Sequence, residues 1–201
     1  MSNAQEQPKK SASGREDPAY LRGYKLYQHG AFSDARDAVL EAISEDFANA
    51  HAWALLSTIY ADMEEPEHAA EAARQAVRSD LHNPEWRVLR ALQVQLEARF
   101  DEAKGEFAKA IELDPNYVSA WFNRALLEAR LGEDDAAIAD LQRAIQIKPA
   151  AWDMIDHYDE FDRLRDDPNF PPEPEGLDDL IDEDVKAQNP FMALKLPKDS
   201  E

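Results

Sequence analysis

Apolar residues return along most of this chain at steps of three and four, the pattern of helices that bury one face. The pattern stops and restarts. In "IELDPNYVSAW" (Ile111 to Trp121) an amphipathic run ends at Asp114-Pro115, and helical spacing resumes within three residues. A proline inside a helix costs about 3 kcal/mol and drives the residue before it out of helical dihedrals. The stop therefore marks a boundary between two helices.

The boundary recurs with a period of 34 residues, Asp114-Pro115 falling on Lys148-Pro149. Better columns appear at the same shift. Ala35, Ala69, Ala103 and Ala137 form one, and Ala42, Ala76, Ala110 and Ala144 another. Gly23, Ser57, Ala91 and Ala125 make a small-residue column, and Ile43, Val77, Ile111 and Ile145 an aliphatic one. Four copies align without insertion or deletion, at 16–49, 50–83, 84–117 and 118–151. Each unit reads as two helices joined by a short turn. Gly30 and Gly132 sit in that turn, where glycine takes a left-handed backbone at little cost. Glu64-Glu65 and Ala98 hold the same place in the other two units, and Pro66 opens a second helix where its missing N–H matters least.

The period, Trp53 and Trp121 near the start of their units, Tyr60, the alanine columns and Pro115/Pro149 resemble tetratricopeptide repeats over residues 16–151. The resemblance implies an all-α fold, a right-handed α-solenoid of four 34-residue helix-turn-helix repeats in which each unit contacts chiefly its neighbours. Residues 152–170, with Trp152, Ile155, Tyr158, Phe161 and Leu164 at helical spacing, read as a C-terminal capping helix. Two departures stand out. Phe47 and Leu81 replace the closing proline, which predicts more continuous junctions there. Arg22, Arg90 and Arg124 stand where the family usually has leucine, and how those helix faces pack is left open.

The net charge of −20 argues against a nucleic-acid backbone or an anionic membrane as partner. Without cysteine there is no disulfide framework and no thiolate chemistry. No apolar run approaches the roughly 18 residues that span a membrane. Residues 1–15 lack the apolar stretch of a secretory signal and read as a disordered leader, so the expected location is cytoplasmic. The five histidines never pair at i, i+4, and no glycine-rich phosphate loop or GxSxG elbow is present. "LDDLIDEDV" lacks the alternating ligands and central glycine of a calcium loop. No catalytic, metal or cofactor site is predicted, and the chain is not expected to be an enzyme.

In proteins of the resembled family the first helices of successive units line a concave face that holds a peptide. The resemblance places Tyr20, Tyr24 and Tyr27 on it from the first unit, and Ala54 and Thr58, with His51 and Ala61, from the second. Val88, Leu92 and Gln95 follow from the third, and Phe122 and Leu126, with Ala129, from the fourth. This face calls for a protein or peptide partner with an apolar or amphipathic segment. Members that clamp a chaperone carboxylate use lysine, asparagine and arginine where this chain has Tyr20, Tyr24, Leu55, Glu85 and Leu89, so that specialisation is disfavoured. The acidic tail, 171–201, keeps apolar residues that make it a candidate ligand: Leu177, Leu180 and Ile181, then Phe191, Met192 and Leu194. Docked on its own chain it would regulate the scaffold; docked on a neighbour it would build an oligomer.

Overall fold

Residues 14–180 are described by the computed structural model, and every regular element among them is helical. After a 3₁₀ turn at Gly14–Glu16 come α1 (Pro18–Gln28), α2 (Phe32–Glu45), α3 (Ala50–Asp62) and α4 (Pro66–Ser79). Then follow α5 (Pro84–Leu96), α6 (Phe100–Leu113), α7 (Val118–Leu131) and α8 (Asp134–Ile147). Consecutive helices pack as hairpins, α1 with α2 through α7 with α8. Two compact units result, one ending at Leu81 and the other beginning at His82.

The hairpin turns share one backbone. Gly30, Glu64, Ala98 and Gly132 are left-handed, with φ of 74°, 60°, 57° and 77°. Their amides donate to the carbonyls of Tyr27, Ala61, Gln95 and Ala129 at 2.9–3.0 Å. The next amides, of Ala31, Glu65, Arg99 and Glu133, reach back to Leu26, Tyr60, Val94 and Glu128 at 2.8–3.0 Å. This double closure satisfies carbonyls that a helix end would otherwise orphan. Glu64 and Ala98 adopt it against the roughly 1–2 kcal/mol that a Cβ adds in this region.

The junctions between hairpins correct one expectation. Asp46 (φ −137°, ψ 95°) and Asp80 (−144°, 97°) are as extended as Asp114 (−141°, 99°) and Lys148 (−140°, 96°). Phe47 and Leu81 thus follow breaks as sharp as those before proline. At the first junction the aspartate makes the break itself: Asp46 Oδ1 accepts from the Ala48 amide at 3.0 Å, as Asp114 Oδ1 accepts from Asn116 at 2.9 Å. Tryptophan then fastens it. Trp53 Nε1 donates to the Phe47 carbonyl at 2.9 Å, and Trp121 Nε1 to the Pro115 carbonyl at 3.0 Å.

Both alanine columns are fully buried, and so are Ser57, Ala91 and Ala125. Gly23 is there for closeness, because a Cβ on it would lie 2.5 Å from Val39 Cγ2 and 3.2 Å from the Ala35 carbonyl oxygen. In the first unit Val39, Leu56 and Ile59 fill the core between these contacts. Phe107 and Leu127 do so in the second, each such side chain adding about 1.5–3 kcal/mol of burial.

The cap departs from the single helix the sequence predicts over 152–170. It forms two 3₁₀ stretches, Pro149–His157 and Asp159–Leu164. Trp152, Ile155, Tyr158, Phe161 and Leu164 recur at steps of three with no step of four, so they align only at three residues per turn. That row packs on Phe122 and Leu141 of the last hairpin. Arg130 pairs with Glu160, and Arg163 donates to the Ala129 carbonyl and to Asp134. The packing continues past Phe170. Trp152 Nε1 donates to the Pro171 carbonyl at 3.3 Å, and Leu177, which opens the short α9 (Leu177–Leu180), is buried in the same core.

Candidate functional site

Within the first unit, α1 carries Tyr20, Tyr24 and Tyr27 on one face, and α3 carries His51, Ala54 and Thr58 on one of its own. Tyr20 and Tyr24 stack with ring centroids 6.4 Å apart and planes 17° from parallel. The Tyr20 ring also lies 6.4 Å from His51, so the two helices contribute to one aromatic stripe. Tyr24 is 39% exposed, while Tyr20 and Tyr27 are half-buried. Ala54 and Thr58 are buried, and the Thr58 hydroxyl donates to the Ala54 carbonyl at 3.2 Å.

Both ends of the stripe are fixed. Tyr27 donates its phenol proton to Asp62 at 2.7 Å. Burial first, and then that bond, push the Tyr27 pKa well above the ordinary tyrosine range. At the other end Arg15 Nε donates to His51 Nδ1 at 3.2 Å. Burial, reinforced by the Arg15 charge, lowers the His51 pKa to about 4, so the imidazole is neutral at pH 7. The turn that brings Arg15 here is held by Asn49, whose Nδ2 donates to the Gly14 carbonyl at 3.0 Å while its Oδ1 caps α3. The stripe is preorganised, with ring faces between a cation and a carboxylate. Among the described residues no cluster of three or more metal-ligating side chains exists.

The second unit places its predicted face residues differently. Val88, Gln95, Phe122 and Leu126 are buried, and Leu92 is half-buried. Phe122, expected as an anchor, lies wholly within the core with Tyr158 and Phe161 at 5.8 and 5.6 Å. The cap covers it, so this ring offers no surface. Of the tail residues, Leu177 is core and Leu180 is 44% exposed. Ile181, Phe191, Met192 and Leu194 lie outside the described residues.

Sequence reasoning missed a set of buried charges. Arg124 grips both oxygens of Asp140 at 2.6 and 2.8 Å. Arg90 pairs with Glu102 at 2.6 Å and with Glu106 at 3.5 Å. Glu106 also receives Arg87 at 3.1 Å and Lys109 at 2.9 Å. Burial works to raise the Glu106 pKa, but the bonds from Lys109 and Arg87 outweigh it and hold it below the ordinary range. These pairs answer how arginine is accommodated in a leucine column. The signal was available: acids occupy positions 106 and 140, where the second hairpin has Ala72.

Helical hairpins at a constant 34-residue spacing, closed by one turn geometry and packed through columns of small residues, define an all-α repeat protein of the solenoid class. The sequence family described as Tetratricopeptide repeat matches at residues 50–83 and again at 97–151. The chain is a tetratricopeptide repeat protein. Human Protein O-mannosyl-transferase TMTC1 is 24% identical over 139 residues, 67% of this chain, and human Serine/threonine-protein phosphatase 5 is 28% identical over 98 residues, or 49%. The chain spans only 16% and 20% of the lengths of those two proteins. Among solved structures, one of MamA overlays with a TM-score of 0.61 at 24% identity, over 83% of this chain and 96% of that one. YrrB, described as a TPR protein with an unusual peptide-binding site, overlays at 0.56 and 16% identity over 87% of both chains. The first TPR of Spaghetti (RPAP3), bound to the HSP90 peptide SRMEEVD, overlays at 0.53 and 18% identity, over 57% of this chain and 90% of that one. At these identities the overlays establish the fold. No described helix is long and apolar enough to cross a membrane.

Proposed function

We propose that this chain is a non-enzymatic scaffold of four repeats that holds an apolar or amphipathic segment of a partner protein on the first-helix faces of its hairpins. Tyr20, Tyr24 and Tyr27, all in the first unit, are its principal anchors. The observation that carries this reading is the Tyr20–Tyr24 stack, held in order by neighbours on both helices yet left partly open. Rings that only fill a core are covered, as Phe122 is; ordered open rings suit recognition, combining large contact area with low entropy cost. The peptide-binding site named for one structural neighbour and the bound peptide named for another support the same use of this fold. A net charge of −20 favours basic residues in the partner, through on-rate and specificity. We place the protein in the cytoplasm, without a cofactor.

Its own tail is the first ligand to try, because residues 181–196 gather Ile181, Val185, Phe191, Met192, Leu194 and Leu196. The test is a fluorescein-labelled peptide of residues 181–201, titrated by anisotropy into a chain ending at Leu180. Saturable binding that weakens at least tenfold with Tyr24→Ala supports both the stripe and the tail. Saturable binding indifferent to Tyr24→Ala rejects the stripe, and absence of binding rejects the tail as ligand. Sedimentation of the full chain over a concentration series then separates docking within one chain from the alternative, a structural protein that assembles by tail exchange.

A further inference from the structure

One carboxyl group in the second unit stands where the other hairpins are apolar. Glu128 occupies the column of Leu26, Tyr60 and Val94, and it is only 7% exposed. Its Oε2 is buried with no hydrogen-bond partner among the described residues. Its Oε1 lies 3.7 Å from Arg124 Nε, one turn back on α7. That guanidinium is already committed to both oxygens of Asp140 on α8, and Asp140 is itself buried. Two carboxyl groups therefore share one cation in a place where solvent hardly reaches, and an unpaired buried charge there is costly.

The other charges that act on Glu128 do not relieve it. Glu133, the residue just before α8, adds a further negative charge. Lys104, from α6, is held by Glu133 at 2.8 Å. Lys104 also has the exposed Asp101 at 3.9 Å, so acids outnumber cations around Glu128. Glu128 is the acid with no cation of its own.

We propose that Glu128 is a proton-operated latch of the α7/α8 hairpin: the hairpin closes on the uncharged acid, and ionisation of that carboxyl loosens the hairpin together with the cap packed on it. When protonated, Glu128 can donate to the Asp140 carboxylate, which leaves the Arg124–Asp140 pair intact. Burial, and then the Asp140 charge, push the Glu128 pKa up to about 7, with Arg124 opposing them. In an opened hairpin the same group returns to its ordinary value of 4.5. Between these values the closed form binds more protons than the open one. Closure therefore weakens as pH rises through that window, and opening grows on the order of a hundredfold across it. The cap is exposed to this change, because Phe122 and Leu141 of the same hairpin are its floor.

Two measurements on the full chain test the latch. Carboxyl ¹³C NMR of glutamate-labelled protein follows the ionisation directly, with Glu128→Gln identifying the resonance. Hydrogen exchange of α7 and α8 amides from pH 5 to 8, corrected for intrinsic exchange, follows the opening. The expected result is a Glu128 carboxyl titrating near neutrality, with an opening that rises on the order of a hundredfold in the wild type and stays flat in Glu128→Gln. The α3/α4 amides change in neither protein. A Glu128 carboxyl that titrates in the ordinary range overturns the proposal, and so does the same opening profile in both proteins. Should Glu128→Gln fail to fold, Glu128→Tyr, the residue of the second hairpin's column, replaces it as the flat control.

Discussion

Between α3 and α4, three positions of the helix interface hold Leu56, Tyr60 and Ala72; between α7 and α8 the same positions, 68 residues later, hold Arg124, Glu128 and Asp140. Both hairpins close with the same turn bonds and bury the same alanine columns. The backbone is indifferent to the exchange because the residue at position 56 and its counterpart at 124 each find a fitting neighbour. Leu56 packs in an apolar core, and Arg124 finds its carboxylate at hydrogen-bond distance. Buried ion pairs seldom stabilise more than the hydrophobic residues they replace. The fourth hairpin therefore gains little strength from its charges. It gains a buried acid, Glu128, that the second lacks.

The comparison breaks most visibly when a set is left incomplete. Arg124→Leu strands Asp140 beside Glu128 and should cost about 3 kcal/mol or more in denaturant unfolding. Installing the whole second-hairpin set, Arg124→Leu with Glu128→Tyr and Asp140→Ala, should return stability to within about 1 kcal/mol of wild type. A triple variant no better than the single one would show that the columns are not interchangeable.

Gly23→Ala comes next. Its methyl group must displace Val39 in the first hairpin, whereas the fourth buries Ala125 at the equivalent position. A loss of about 2 kcal/mol is expected, and Val39→Ala should recover only part of it because the Ala35 carbonyl stays in place.

Acid separates the third hairpin from the fourth. The Glu106 pKa is lowered on folding, so its contribution is present above the ordinary carboxylate value of 4.5 and is lost as pH falls through the folded value. Glu128 has the opposite sign, its hairpin tightening as pH falls from about 7. Hydrogen exchange compared at pH 4 and pH 7 should show α5/α6 weakening in acid and α7/α8 strengthening. The smallest effect belongs to the turns. Ala98→Gly should gain about 0.5–1 kcal/mol by relieving a left-handed alanine, and Gly132→Ala should lose about as much in thermal unfolding.

Most of the fold was legible because the constraint repeats: a small residue in one hairpin is ambiguous, but Gly23, Ser57, Ala91 and Ala125 in register are not. The cap was legible as a packed segment and misread in its pitch. Steps of three and of 3.6 differ little over one turn, and only the full row from Trp152 to Leu164 tells them apart. The site was half legible. Helical spacing brings Tyr20, Tyr24 and Tyr27 together, since that depends on one helix alone. The burial of Phe122 depends on Phe161, 39 residues further along and outside any repeat, and the Tyr27–Asp62 bond joins two hairpins. Contacts of that kind leave no mark in the period.

The recognition face is tested most directly by an amide shift map of the chain ending at Leu180, recorded with and without the peptide of residues 181–201. Binding at the tyrosine stripe moves the amides of Tyr20, Tyr24 and Thr58, and Tyr24→Ala suppresses the shifts. Shifts confined to the neighbourhood of Leu177–Leu180, with Tyr20 and Tyr24 unmoved, would contradict a role for the stripe in holding this segment.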